Sequence, residues 1–313
     1  MDAQAKRFAN RLIRDFKRAG VDKDEDTRNR LKGLDKELVR LGQEFQKNVR
    51  SDVRSIEVDD VKELDGLPKD FIKAHAPNED GKIVITTDYP DFFPFQTYAQ
   101  NTQLRAELYR RFMQRGYPAN KKVLEQVLKL RAEKAGLLGF PSWAEYNAQD
   151  KMVGSAKVVD DFIKNLVGMV RERSEKDISQ LLKRKQKDDP KAQVIEVWDR
   201  FYYAGKVREE DYDFDARTVR PYFSYHRVKN GILDLYSELF GIGFRPLKDE
   251  PVWHKSVEAW ELSQDGEVLG TFYLDMHPRA GKYKHAAMFS VQTGLSGEGV
   301  KRAPMASLVC NFP

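Results

Sequence analysis

A chain of 313 residues, 41% hydrophobic and 33% charged, has room for about two domains or one large one, with too many apolar positions for disorder and too many interspersed charges for a membrane protein. Its 54 Lys and Arg against 49 Asp and Glu give a net charge of +5, but cations sit beside acids almost throughout, as in RNRLKGLDKELVR and REEDYDFDARTVR. No nucleic acid and no membrane is therefore expected as a partner. No run of about 18 apolar residues occurs, and the opening MDAQAKRFANRLIRDFKR mixes charge with helix-spaced apolar positions, unlike a secretory signal. The single Cys310 excludes an internal disulfide and a cysteine-built zinc or iron–sulfur site. A reducing compartment fits, and a cytoplasmic location is expected.

Apolar spacing predicts a succession of long helices. Phe8, Leu12 and Phe16 mark the first, which Gly20 stops. Asp22 and Glu25 read as a capping pair for the second, whose Leu31, Leu34, Leu38, Leu41 and Phe45 form a narrow stripe that needs an antiparallel partner. Ile56 with Val58 and Ile83 to Ile85 are expected as paired strands, the latter after a Glu-Asp-Gly turn. A third helix is predicted from about Thr97 to Arg115, with Leu104, Leu108 and Phe112 inward, and a fourth from Asn120 through Val123, Val127 and Leu130. Ser142 with Glu145 forms a capping box for a short helix, and Ser155 opens one of about 30 residues carrying Val159, Phe162, Leu166, Val170, Ile178 and Leu181. The cluster Lys183, Arg184, Lys185 and Lys187 reads as its solvated end. Pro190 is expected in the first turn of a helix bearing Trp198, Asp199, Tyr202 and Tyr203, and Tyr225 to Phe240 is another helix, closed by Gly241. The strongest β signal is VEAWEL, a Ser-Gln-Asp-Gly turn and EVLGTFYLDM, read as a hairpin. Ala287 to Val291 and Ala306 to Phe312 follow as strands, the last expected to lie unpaired at a sheet edge. The fold class is mainly α, with long helices and a small antiparallel β element.

The five histidines, at 75, 226, 254, 277 and 285, lie at least eight residues apart, so no HExxH helix is present. There is no GxGxxG before a helix, no GxxxxGK[ST] and no GxSxG. The densest polar constellation is the loop after the strongest strand: Asp275, His277, Arg279, Lys282, Tyr283 and His285, threaded with Pro278 and Gly281. A loop in that place is a usual seat of binding residues; a braced surface turn is the open alternative. Arg279 and Lys282 suit a peptide carboxylate or carbonyl, while Asp275 and His277 suit bracing. For Trp198-Asp199 with Tyr202-Tyr203, core packing stands against function.

These residues carry a resemblance. GTFYLDMHPRAGKYKHAA (270–287) resembles GxFYLDLxPRxGKxxHAA of the thimet oligopeptidase and neurolysin family of zinc metallopeptidases, which also includes bacterial oligopeptidase A and dipeptidyl carboxypeptidase. Trp198-Asp199 with Tyr202-Tyr203 is similar to the family's WDxxYY, and EDGKIVITTDYPDFFPF to its EDGK, strand and YPxxFP segment. LGQEFQKNV, LRAEKAGLLGF and Trp253-His254 resemble further family positions in the same order.

The resemblance implies a clam-like helical enzyme that cuts short peptides at a zinc ion in a deep channel. By it, residues 1–205 would build the helical wall of the catalytic domain, 206–255 a helical segment of the opposing domain, and 256–313 a β-hairpin segment leading to the zinc helix. In the family the zinc histidines, the catalytic Glu, the third ligand and a Tyr/His loop lie beyond a segment like PMASLVCNFP. The chain thus resembles a middle portion, with zinc a cofactor of the full-length enzyme, no metal or catalytic residue of its own, and short peptides as substrates. Six residues of the 275–285 loop are its substrate-channel candidates. A non-catalytic helical scaffold binding a peptide or protein partner is the alternative function, and a basic RNA-binding scaffold the weakest one.

Overall fold

The computed structural model describes residues 2–297 and 299–312; Pro313, the last residue of the PMASLVCNFP segment, lies outside them. Helix α1 (Ala3–Arg18) starts at Asp2, whose carboxylate accepts the Ala5 amide at 2.7 Å. In α2 (Glu25–Ser51) the cap is Asp24, bonded to both the amide and hydroxyl of Thr27 at 2.8 Å. The expected Asp22–Glu25 pair is displaced because residues 20–23 form a turn closed by Lys23 N–H to the Gly20 carbonyl. Strand β1 (Ser55–Val58) is followed by a 3-10 turn at Val61–Leu64, α3 (Lys69–Ala74) and β2 (Ile83–Thr86), which pairs with β1 as the spacing predicts.

The helix expected over 97–115 is α5 (Thr102–Met113), which starts later than expected; before it stands α4 (Tyr89–Tyr98), which the spacing does not predict. Ala99 is extended, and the Asn101 side chain accepts from the amides of Gln103 and Leu104, restarting the helix. Next come α6 (Ala119–Leu137), α7 (Trp143–Ala148) and the 33-residue α8 (Ala156–Asp188), the last two capped by Ser142 and Ser155 as expected. No helix starts at Pro190. The Ala192 and Val194 carbonyls instead accept from Gln186 and Lys185 of α8, and α9 (Arg200–Tyr212) begins ten residues later. Then follow α10 (Ala216–Val219), a 3-10 turn at Arg220–Phe223, and α11 (Tyr225–Phe240), ended by Gly241 at φ +64°. The remaining strands are β3 (Gly243–Leu247), β4 (Val257–Gln264), β5 (Glu267–Asp275), β6 (Ala287–Gln292), β7 (Leu295–Gly297), β8 (Val300–Arg302) and β9 (Met305–Val309). The chain is mainly α.

It divides into two units, Met1–Ser55 with Glu107–Val197, and Ile56–Ala106 with Trp198–Pro313. In the first, the leucine stripe of α2 finds its partner in α6: Leu41 packs on Val123 and Val127, flanked by Leu38, Phe45 and Leu130. Arg30 meets Glu133 toward the start of α2 and Asn48 meets Asn120 toward its end, so the pair is antiparallel. On α8, by contrast, Phe162, Leu166, Val170 and Ile178 are exposed.

The second unit holds a five-stranded sheet in the order β3-β4-β5-β9-β6. The predicted hairpin is β4–β5, turning at Asp265 (φ +51°) and Gly266 (φ +82°), the two left-handed residues that a tight hairpin turn demands. The sheet is antiparallel except for β5 and β9, which run parallel. The last strand is therefore no edge: β9 is paired on both sides, and among the described residues the edges of this sheet left unpaired belong to β3 and β6. No helix among the described residues is long and apolar enough to cross a membrane.

Candidate functional site

Strand β5 delivers Asp275, 2% exposed, to the head of the loop. Register does the rest: Asp275 lies opposite Val257, which brings the segment before β4 alongside. Its carboxylate accepts only from donors, the Arg279 guanidinium two-pronged at 2.6 and 2.8 Å, the Trp253 indole N–H at 2.9 Å and the Lys282 ammonium at 3.0 Å. Burial pushes the carboxyl up, but hydrogen bonds from Arg279, Trp253 and Lys282 outweigh it and hold the group well below the usual carboxylate range.

Lys282 is buried in turn, and its ammonium also donates to the carbonyls of Asp275 at 2.9 Å, His277 at 2.6 Å and Cys310 at 2.6 Å. Its three protons are shared among these three carbonyls and the Asp275 carboxylate. The same loop captures the segment after β9, through Cys310 N–H to the Asp275 carbonyl, Phe312 N–H to that of Met276, both at 2.8 Å, and His277 Nδ1 at 3.2 Å from the Phe312 carbonyl. Half-buried His277 packs edge-on against Tyr225 at 4.9 Å. Burial pushes the Cys310 thiol up.

Of the six candidates, then, Asp275, Arg279 and Lys282 converge in one closed ion cluster and His277 sits at its rim. Tyr283 and His285 stand apart, exposed. The His285 ring meets Tyr89 of α4 edge-on at 4.8 Å, and its Nδ1 accepts the Ala286 amide, which places the ring proton of the neutral form on Nε2. Spacing gave no sign of Trp253 as a member of this cluster; only the β4–β5 register does.

The Trp198-Asp199 and Tyr202-Tyr203 pairs close around Arg105. Both Arg105 and Asp199 are completely buried, 2.9 Å apart. The guanidinium further donates to the carbonyls of Ala99, Gln100 and Trp198 and to the Thr102 hydroxyl, and stacks 4.2 Å over the Tyr202 ring. This motif is a structural hub.

Between α11 and the sheet of the same unit lies an apolar groove of about 880 Å³, with Tyr225, Val228 and Ile232 facing Phe272, Leu274 and Leu308. At its polar end Glu258 accepts from Lys229 at 2.7 Å and Tyr225 at 3.3 Å, and burial with the Glu258 charge pushes the tyrosine up to about 12. Among the described residues, no three His, Cys, Asp or Glu side chains converge to hold a metal ion. The one carboxylate at the centre of the loop is saturated by nitrogen donors, so the residues of this loop do not fit a zinc ion.

The sequence model of Peptidase family M3 matches residues 95–313, and the chain belongs to that family. It is 30% identical to Oligopeptidase A of Escherichia coli over 100% of this chain and 48% of that protein. Identity to Saccharolysin of Saccharomyces cerevisiae is 29%, over 98% of this chain and 46% of the relative, and to a Probable cytosolic oligopeptidase A of Arabidopsis thaliana 30%, over 97% and 47%. The chain spans about half the length of the curated relatives it matches.

Proposed function

We propose that this chain forms part of a zinc-dependent metallo-oligopeptidase that hydrolyses short peptides, and that the zinc and the catalytic groups come from family sequence outside the matched half. Membership of Peptidase family M3 is the observation that carries this reading. The unpaired edge of β6, with four of its six residues exposed, adds a place for substrate: an extended peptide can complete such an edge through main-chain hydrogen bonds. The Asp275 to His285 loop leads directly into that strand and presents Tyr283 and His285 beside it. In the completed enzyme residues 1–205 furnish the helical wall, 206–255 reach the opposing domain and 256–313 lead to the zinc helix, in the cytoplasm.

The test is complementation. A quenched fluorescent peptide of about ten residues is offered to the chain alone and to the chain combined with the half of Oligopeptidase A that it does not match. Chelator-sensitive cleavage by the combination and none by the chain alone is expected. No cleavage by a folded combination overturns the reading in favour of a scaffold that only binds.

A further inference from the structure

We infer that the second unit carries an aromatic recognition surface that selects peptides with aromatic or bulky apolar side chains. The inference rests on the peptide reading above and specifies it. Six rings from four separate elements make a continuous chain of contacts. Phe201 of α9 meets Phe93 of α4 at 6.0 Å, Phe93 meets Tyr89 at 5.2 Å, and Tyr89 meets His285 at 4.8 Å. His285 lies 6.3 Å from Tyr283, which is 5.8 Å from Phe289 of β6.

Core aromatics hide their faces; these do not. Phe93 is 43% exposed, Phe201 39%, Tyr283 43% and Phe289 45%. The surface is also held in place from beneath. Phe92, 3% exposed, packs edge-on under Phe93 at 5.4 Å, and the Asn311 side chain donates to the Tyr283 carbonyl at 3.1 Å. Rigid, exposed aromatic rings offer large contact area at little entropic cost.

Three features commit the surface to an extended peptide. Side chains on one face of an extended chain recur about every 6.6 Å, close to the spacing between neighbouring rings here, so alternate side chains can seat against successive rings. The row begins on Phe289 of β6, the strand whose free edge can pair with a peptide main chain. At its other end the exposed Arg200 guanidinium lies 5.5 Å from the Phe201 ring, a cation placed for a peptide carboxylate. Arg279 and Lys282, spent on Asp275, leave side-chain selection to the rings.

The experiment uses the chain as it is, without metal. Two fluorophore-labelled octapeptides, one alternating Phe with Ser and one alternating Ala with Ser, are titrated by fluorescence anisotropy. The Phe peptide should bind at least tenfold more tightly. Phe93→Ser and Phe201→Ser should each weaken it fivefold or more with unchanged circular dichroism and melting temperature, while Ile232→Ser in the apolar groove leaves it alone. Equal affinity for the two peptides, binding of neither, or Phe-peptide binding lost only in Ile232→Ser overturns the inference. Binding without ring preference, together with cleavage in the complementation assay, leaves the peptidase reading standing and removes this one. Ring-selective binding without cleavage does the reverse.

Discussion

Replacing Asp275 by Asn tests whether the loop is held by its ion cluster. The carboxylate faces donors only, from Arg279, Trp253 and Lys282, so the amide group of Asn would turn its own donors toward them. The Lys282 side chain is 2% exposed and keeps its carbonyl partners, but its charge loses its anionic partner, as does that of Arg279. Breaking a buried pair by removing one partner costs about 3 to 5 kcal/mol, and the three committed carbonyls put this case toward the lower end. Two assays read it. Urea unfolding should show Asp275→Asn destabilised by about 3 kcal/mol. Trypsin, held off in the parent because Lys282 is buried and Lys284 donates to the Arg279 carbonyl at 2.9 Å, should cut within 279–284 before the rest of the chain. A loss below about 1 kcal/mol, the worth of an ordinary exposed ion pair, with the parent's tryptic pattern would refute the reasoning.

The other buried pair gives a parallel expectation: Asp199→Ala strands the Arg105 guanidinium, completely buried, and should cost about 3 to 5 kcal/mol, whereas Asp199→Asn, which keeps an acceptor, should cost less; equal losses in the two would show the charge to be irrelevant. His75 supplies a pH dependence. Its Nδ1 faces the Phe71 carbonyl at 2.8 Å and its Nε2 the Asp91 carboxylate at 3.1 Å, two acceptors that favour the imidazolium, and the Asp91 hydrogen bond raises its pKa. The contribution should be present in full below the unfolded histidine value near 6.5 and vanish as pH rises through the raised folded one. Asp91, which burial pushes up and the His75 and Thr86 hydrogen bonds pull lower still, bounds it from the acid side, where stability falls as the carboxylate protonates. Melting curves from pH 5 to 9 should show the parent losing stability relative to His75→Gln as pH rises; a constant difference across that range contradicts this.

What could be read from the sequence was local. Ser142, Ser155 and Gly241 mark helix ends because a cap acts within four residues, and Asp265-Gly266 marks a hairpin because both must adopt positive φ. Helix α4 escaped because its two prolines argue against helix. Pro90 sits in the first turn, where no amide bond is needed, and Pro94 lies four residues on, so the amide it lacks is the one that would have bonded to Pro90. The central place of β9 was hidden for a different reason. Its parallel neighbour β5 is separated from it by three other strands, and nothing in Met305 to Val309 specifies which side is covered. The candidate loop was legible as a cluster of polar residues, but its internal pairing depends on Trp253 and Cys310, brought in by the sheet. Arg105 and Asp199, 94 residues apart, could be joined only by the structure.

The most direct test of the central claim is zinc stoichiometry. The purified chain is equilibrated with excess zinc, dialysed exhaustively and analysed by mass spectrometry, with peptide turnover followed on the same sample. Tetrahedral sites with three protein ligands retain zinc through dialysis. The account predicts a small fraction of an ion per chain and no turnover; close to one zinc per chain with chelator-sensitive cleavage would contradict it.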